Sequence, residues 1–140
     1  MAIDYGLSIV GIAISDGVSG IAFPQEAIKY GGDDDLATQI AGIVGEREIS
    51  TVVVGLPVHL SNESSEMSQR ASDFAELLRK ALDVPVELFD ERLTTARAEA
   101  IMHDTGLAPS RNRKKLNSIA ASVLLEDYLE KKRQASKPEG

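Results

Sequence analysis

Cysteine and tryptophan are absent from the chain, and aromatic residues make up only 4% of it. The lack of cysteine excludes disulfides, thiolate metal sites and cysteine nucleophiles. With so few aromatics among 43% hydrophobic residues, the core must consist mostly of Ile, Val, Leu and Ala. No apolar run approaches the roughly 20 residues of a membrane-spanning helix. The first residues have no basic segment and carry Asp4 early, unlike a signal peptide. These absences predict a cytoplasmic protein with no membrane partner.

The charge is unevenly distributed along the 140 residues, whose formal net charge is -7. Residues 1–110 carry 7 basic and 18 acidic side chains, whereas residues 111–140 carry 8 basic and 4 acidic ones. The acidic total argues against indiscriminate binding of nucleic acid. The basic C-terminal part would suit local contact with a phosphate backbone, or it is a solvated helix face and a frayed tail. The length predicts one domain over residues 1–133, followed by a disordered tail over 134–140.

The hydrophobic pattern predicts a mixed α/β fold. Two short aliphatic runs at the start, separated by Gly6, are typical of a hairpin. Gly11 inside the second run indicates a close backbone approach or a bulge. Strands and helices alternate afterwards, which favours a sheet of five strands, three antiparallel and two parallel, with helices on both faces. The predicted strands cover residues 1–4, 9–15, 20–23, 51–54 and 84–89. A basic polar loop at 110–115 leads to the last helix at 116–132.

Polar residues that could carry chemistry lie at the predicted strand and helix ends. Asp4 ends the first strand, Asp90 and Glu91 end a later one, and Asn117 begins the last helix. Adjacent strand residues point to opposite faces, so only one of Asp90 and Glu91 can join Asp4. Converging carboxylates repel each other unless a cation neutralises them, and hard oxygen ligands suit Mg²⁺ or Mn²⁺. The spacing leaves plainer interpretations open: a turn aspartate, a solvated salt bridge and a helix N-cap asparagine.

Five stretches of the chain, in order and spacing, resemble the YqgF (RuvX) family. They are IDYG at 3–6, GIAISD at 11–16, VVGLP at 53–57, DERLTTA at 90–96 and AA at 120–121. The most specific of them is DERLTT. The resemblance covers nearly the whole chain, to about residue 129.

This resemblance implies a ribonuclease H-like fold related to the Holliday junction resolvase RuvC. Family members are described as nucleases that mature the 5′ end of pre-16S rRNA, and as junction resolvases. The expected partners are therefore structured precursor RNA or branched DNA, and a ribosomal precursor particle. The family's acidic site corresponds to Asp4 and Glu91, with Mg²⁺ or Mn²⁺ as the expected cofactor. The implied nucleic-acid contacts are Arg92, Thr94, Thr95, Arg111, Arg113, Lys114 and Lys115.

The chain departs from the family pattern at the third site position. The family has an aspartate at the start of the last helix, and this chain has Asn117. An amide oxygen can ligate a metal but brings no charge, so the site should be weaker. Residues 7–10 also lack the Thr and basic residues of many members. The family usually has a few more residues before the aspartate, so either the first strand is short or the start is misassigned.

Three hypotheses follow. The first is a metal-dependent endonuclease that hydrolyses phosphodiester bonds, with Asp4, Glu91 and Asn117 as catalytic residues. The second, suggested by Asn117, is a catalytically weak or inactive nucleic-acid-binding factor in ribosome assembly. The third is an ATPase related to sugar kinases and actin, which would need a second domain that 140 residues do not accommodate. The oligomeric state is left open.

Overall fold

Residues 1–56, 62–90, 94–108 and 111–136 are described by the structure, a computed structural model. Glu91 and Arg92 lie outside these ranges, as do the side chains of Asp90, Thr94 and Thr95. The elements in chain order are β1 (Ala2–Asp4), β2 (Ile9–Ser15), β3 (Ala22–Pro24), β4 (Ile28–Lys29), α1 (Asp33–Glu46), β5 (Val52–Leu56), α2 (Asn62–Ala81), β6 (Val86–Asp90), α3 (Thr94–Asp104) and α4 (Arg113–Ser136).

The strands form one mixed sheet with the order β3-β2-β1-β5-β6. β1 and β2 are antiparallel, with Asp4 opposite Gly11, and β3 pairs antiparallel with β2. β5 runs parallel to β1, and β6 runs parallel to β5. The predicted mixture of three antiparallel and two parallel strands is therefore confirmed. The structure adds the two-residue strand β4, which pairs with β2 and is too short to show a hydrophobic pattern.

Helices cover both faces of the sheet, as predicted. On one face, α1 and α2 contribute buried Leu36, Ile40, Phe74 and Leu78 to a cluster with strand residues such as Ile3. On the other face, α4 packs on a second cluster that contains Ala2, Ala13 and Val53. α3 packs on α4, with Ala98 and Met102 fully buried. Side chains alternate between the two clusters along β1, because successive strand residues point to opposite faces.

The last helix is longer than predicted at both ends. α4 begins at Arg113 instead of residue 116, and its first turn closes with the Leu116 N–H donating to the Asn112 carbonyl at 2.9 Å. It continues through Ser136, into the part expected to be a disordered tail. Arg, Lys, Gln and Ala all favour helix. The residues added at the two ends, RKK at 113–115 and RQAS at 133–136, are nearly all polar and extend no hydrophobic pattern. Within the described residues, no helix is both long and apolar enough to cross a membrane.

Candidate active site

Asp4 is the last residue of β1 and is half-buried. Its neighbours Ile3 and Tyr5 belong to the cluster under α1 and α2, whereas Ala2 belongs to the cluster under α4. By strand alternation, the Asp4 side chain therefore lies on the α4 face. It sits at the carboxyl end of a strand that has an antiparallel neighbour on one side and a parallel neighbour on the other. Such strand ends are where α/β sheets build ligand sites.

Gly11, the residue paired with Asp4, is where α4 comes closest to the sheet. A Cβ atom at Gly11 would lie 1.9 Å from the Asn117 carbonyl oxygen and 2.8 Å from the Ser118 nitrogen. No side chain fits in that space. The buried Ser118 Oγ accepts a hydrogen bond from the Ile12 N–H at 3.3 Å, which fixes the helix on the strand. The close approach expected at Gly11 is thus confirmed, and it brings Asn117 next to the end of β1 that carries Asp4.

Asn117 is half-buried and lies in the second turn of α4. Its interpretation as a helix N-cap is wrong, because the helix starts four residues earlier. The side-chain Nδ2 donates a long hydrogen bond of 3.5 Å to the Ile9 carbonyl. That bond orients the amide and engages its nitrogen. Among the described residues, nothing bonds to Oδ1, so this oxygen is available as an acceptor or ligand.

The predicted partner of Asp4, Glu91, lies outside the described residues, as does Arg92. The strand that leads to it is β6, which ends at Asp90, and the backbone of Asp90 pairs with Leu56 of β5. Glu87 and Phe89 of β6 both contact Tyr128 of α4, so their side chains lie on the α4 face. Thr94 and Thr95 begin α3. The spatial proximity of the Asp4 and Glu91 side chains therefore stays a prediction.

The basic residues expected to bind nucleic acid are exposed at the beginning of α4. Arg113, Lys114 and Lys115 form its first turn, not the predicted loop, and Arg111 lies just before it. The first turn contains no acidic residue. In the part of the chain that the structure describes, none of the four side chains has an ion-pair partner. Cations at a helix N-terminus oppose the helix dipole, so this end of α4 carries uncompensated positive charge.

Sequence reasoning missed a hydrogen-bonded group on the opposite face of the sheet. The Tyr5 and Tyr30 hydroxyls both donate to Asp33 Oδ1, at 2.7 and 2.8 Å. The Tyr5 ring stacks on Phe74 with ring centroids 5.1 Å apart. Burial and then the hydrogen bond to Asp33 raise the pKa of Tyr5 above its usual range. The sequence signal was Tyr5 itself, directly after Asp4, but its partner is 28 residues away.

The side-chain oxygen atoms of Asp4 and Asn117 suit a hard divalent cation. Asp4 offers a carboxylate and Asn117 an amide oxygen, the ligand types that Mg²⁺ and Mn²⁺ prefer. Within the described residues, no group of three His, Cys, Asp or Glu side chains could hold a metal ion. A complete site would therefore need Asn117 or a donor from outside those residues. Asp127, a carboxylate of α4, forms a salt bridge with Arg97 of α3 at 2.6 Å.

The fold is that of the ribonuclease H-like class. The chain is similar to Thermus thermophilus RuvC in its complex with a Holliday junction substrate, with a TM-score of 0.60, 15% sequence identity, and coverage of 98% of this chain and 96% of that one. A second Thermus thermophilus RuvC structure matches with a TM-score of 0.52 and 15% identity, over 98% of this chain and 97% of that one.

The sequence defines the family more narrowly. Residues 1–131 match the family model RuvX, described as Holliday junction resolvase. A relative from Chloroflexus aurantiacus, named "Putative pre-16S rRNA nuclease", is 39% identical over 95% of this chain and 87% of its own length. One from Halothermothrix orenii with the same name is 31% identical, over 92% of each chain. The chain belongs to the RuvX family, a family of nucleases, which confirms the resemblance noted in its sequence.

Proposed function

We propose that this chain is a metal-dependent endonuclease acting on structured nucleic acid, with the 5′ end of precursor 16S rRNA as its natural substrate and the cytoplasm as its location. One observation carries the proposal: α4 packs directly on Gly11, and so places Asn117 beside the strand end that bears Asp4. Membership of the RuvX family and the names of its relatives support the substrate class.

The residues divide into two roles. Asp4 and Glu91 would hold Mg²⁺ or Mn²⁺, with Asn117 as a neutral oxygen ligand. When bound, such ions activate water and stabilise the leaving oxygen of a phosphodiester. Glu91 follows Phe89 by two positions, and a continued extended backbone would turn it to the α4 face that Asp4 shares. Because the Nδ2 atom of Asn117 bonds to the Ile9 carbonyl, the Oδ1 atom of the same amide points away from Ile9.

The basic residues at the start of α4 would bind the phosphate backbone. Arg111, Arg113, Lys114 and Lys115 are exposed and lie within six residues of Asn117 along the chain. Arg92, together with Thr94 and Thr95 at the beginning of α3, would add further phosphate contacts. Because helix N-termini favour anions, both helices would contribute their dipoles to phosphate binding.

A cleavage assay tests the proposal. The substrates are a 5′-extended 16S rRNA precursor and a four-way DNA junction, each with Mg²⁺ or Mn²⁺. Asp4→Asn and Glu91→Gln should each lower kcat at least roughly 100-fold, because metal stabilisation supplies several kcal/mol and 1.4 kcal/mol is a factor of ten. Glu99→Gln is the matched control, since Glu99 is an exposed carboxylate on α3. Wild-type protein without metal-dependent cleavage, or with cleavage indifferent to both substitutions, contradicts the proposal.

The phosphate contacts have a separate signature in binding. Lys114→Gln should reduce the slope of log K against log salt concentration by about 0.7–0.9 if Lys114 contacts one phosphate. Lys80→Gln, on the exposed side of α2, is the control and should leave the slope unchanged. Identical slopes for Lys114→Gln and the wild type would remove this residue from the interface.

Asn117 also favours a second candidate, a nucleic-acid-binding assembly factor with little or no catalysis. Asn117 occupies the family's aspartate position but supplies no negative charge. Asn117→Asp separates the two functions. A gain in metal-dependent cleavage would show that the missing charge limits an otherwise competent site. RNA binding without cleavage in both proteins would favour the assembly factor.

A further inference from the structure

The turn between β1 and β2, residues 5–8, joins two parts of the candidate active site. Asp4 immediately precedes the turn. Ile9 immediately follows it, and its carbonyl oxygen accepts the hydrogen bond from Asn117 Nδ2. The turn therefore links the backbone of Asp4 to the carbonyl group that binds the Asn117 amide.

The turn is attached at one end to the first residue of α1 and at the other end to the segment before α1. At the first end, the Tyr5 hydroxyl donates to Asp33 Oδ1 at 2.7 Å. At the second, the Tyr30 N–H donates to the Ser8 carbonyl at 2.9 Å. The turn is also tight, since a Cβ at Gly6 would lie 2.7 Å from the Ile9 carbonyl oxygen. The Tyr5 contact restrains the turn from the face of the sheet opposite Asp4, and the backbone bond to Tyr30 continues the pairing of β2 with β4.

The Tyr5 hydroxyl is not needed to fill space. Tyr5 is 5% exposed, and its ring stacks on Phe74 and meets the Tyr30 ring edge-on, with the two tyrosine centroids 6.0 Å apart. A phenylalanine would make the same ring contacts. What only tyrosine adds is a directional bond to Asp33, the first residue of α1. That bond connects the end of β1 to a rigid helix.

We propose that Tyr5 is a positioning residue for the candidate metal site: its hydroxyl, bound to Asp33, fixes the β1–β2 turn so that Asp4 and the Asn117 amide are presented together. Tyr5 does not touch the metal or the substrate, because its side chain lies on the opposite face of the sheet from Asp4. This inference rests on the proposed function, since it concerns the same site.

The test measures Mn²⁺ affinity by calorimetry and by electron paramagnetic resonance, without substrate. Tyr5→Phe should keep the fold and weaken Mn²⁺ binding about tenfold, the size typical for groups that orient metal ligands. Tyr128→Phe is the matched control. It also removes a phenol hydroxyl that donates to a carboxylate, that of Glu87, but lies 11 residues beyond Asn117, about 16 Å along α4. Tyr128→Phe should leave the affinity within about twofold, the scatter expected between independent sites.

Asp33 provides the rescue experiment. Asp33→Asn keeps an acceptor oxygen for Tyr5 and should bind Mn²⁺ more tightly than Asp33→Ala, which removes the acceptor and should match Tyr5→Phe. Wild-type affinity in Tyr5→Phe would overturn the inference while leaving the proposed function intact. Equal losses in Tyr5→Phe and Tyr128→Phe would also overturn it, because the effect would then be general destabilisation. A wild-type protein that binds no Mn²⁺ contradicts the proposed function, and this inference with it.

Discussion

Gly11→Ala should damage both the stability and the candidate site of this protein. The added Cβ would lie 1.9 Å from the Asn117 carbonyl oxygen and 2.2 Å from its carbon, whereas real Cβ contacts essentially never fall under 3.0 Å. Helix and strand must therefore separate by about 1 Å, a large shift for a close-packed interior. Overpacking of this kind costs about 1–3 kcal/mol. The separation also strains the buried bond between Ile12 and Ser118, which adds about 1 kcal/mol.

The expected total is a loss of about 3 kcal/mol in the free energy of unfolding, measured by urea denaturation with an unchanged m value. Gly42→Ala is the control, because nothing lies within 4 Å of a Cβ at this position in α1. It should stabilise the protein by up to about 1 kcal/mol, the helix preference of Ala over Gly. If Gly11→Ala is as stable as the wild type, α4 does not pack on β2 as described, and Asn117 is not beside Asp4.

Three further predictions concern the rest of the fold. Phe74→Ala, at a fully buried position, should cost about 3–5 kcal/mol in denaturant unfolding; a loss below about 1 kcal/mol would contradict its place in the core. Arg97→Ala breaks an exposed ion pair with Asp127 and should change stability by less than about 1 kcal/mol; a larger loss would show that α3 depends on it. Because the folded state raises the pKa of Tyr5, its stabilising contribution is complete below about pH 10 and is lost above it. The melting temperature of Tyr5→Phe should thus fall less steeply than that of the wild type above pH 10, and parallel curves would refute the assignment.

Much of the architecture could be predicted from the sequence because local patterns and tertiary packing agree. The aliphatic runs around Gly6 form the predicted hairpin, and the β-branched run at 52–54 forms a strand buried on both faces. The start of α4 was predicted three residues late, since Arg113, Lys114 and Lys115 are solvent-exposed and contribute nothing to a hydrophobic pattern. Hydrophobic periodicity reports which residues are buried, and an exposed helix end can form without burying any side chain.

The candidate site could be predicted only in part. Gly11 indicated a close approach, but not that its partner is Asn117, 106 residues away in the chain. The bond between Tyr5 and Asp33 depends on how α1 meets β1, which no local pattern encodes. The pairing of Asp4 with Glu91 was inferred from a family resemblance and is still a prediction. Contacts between distant segments follow from packing, and the sequence shows packing only indirectly.

A crystal soaked in Mn²⁺, with anomalous diffraction recorded at the manganese edge, would show whether Asp4, Asn117 and Glu91 hold a metal ion together. We expect a peak within ligand distance of an Asp4 carboxylate oxygen and Asn117 Oδ1, with the Glu91 carboxylate turned toward the same peak. A manganese peak elsewhere, or a Glu91 side chain on the face occupied by α1 and α2, would contradict this expectation.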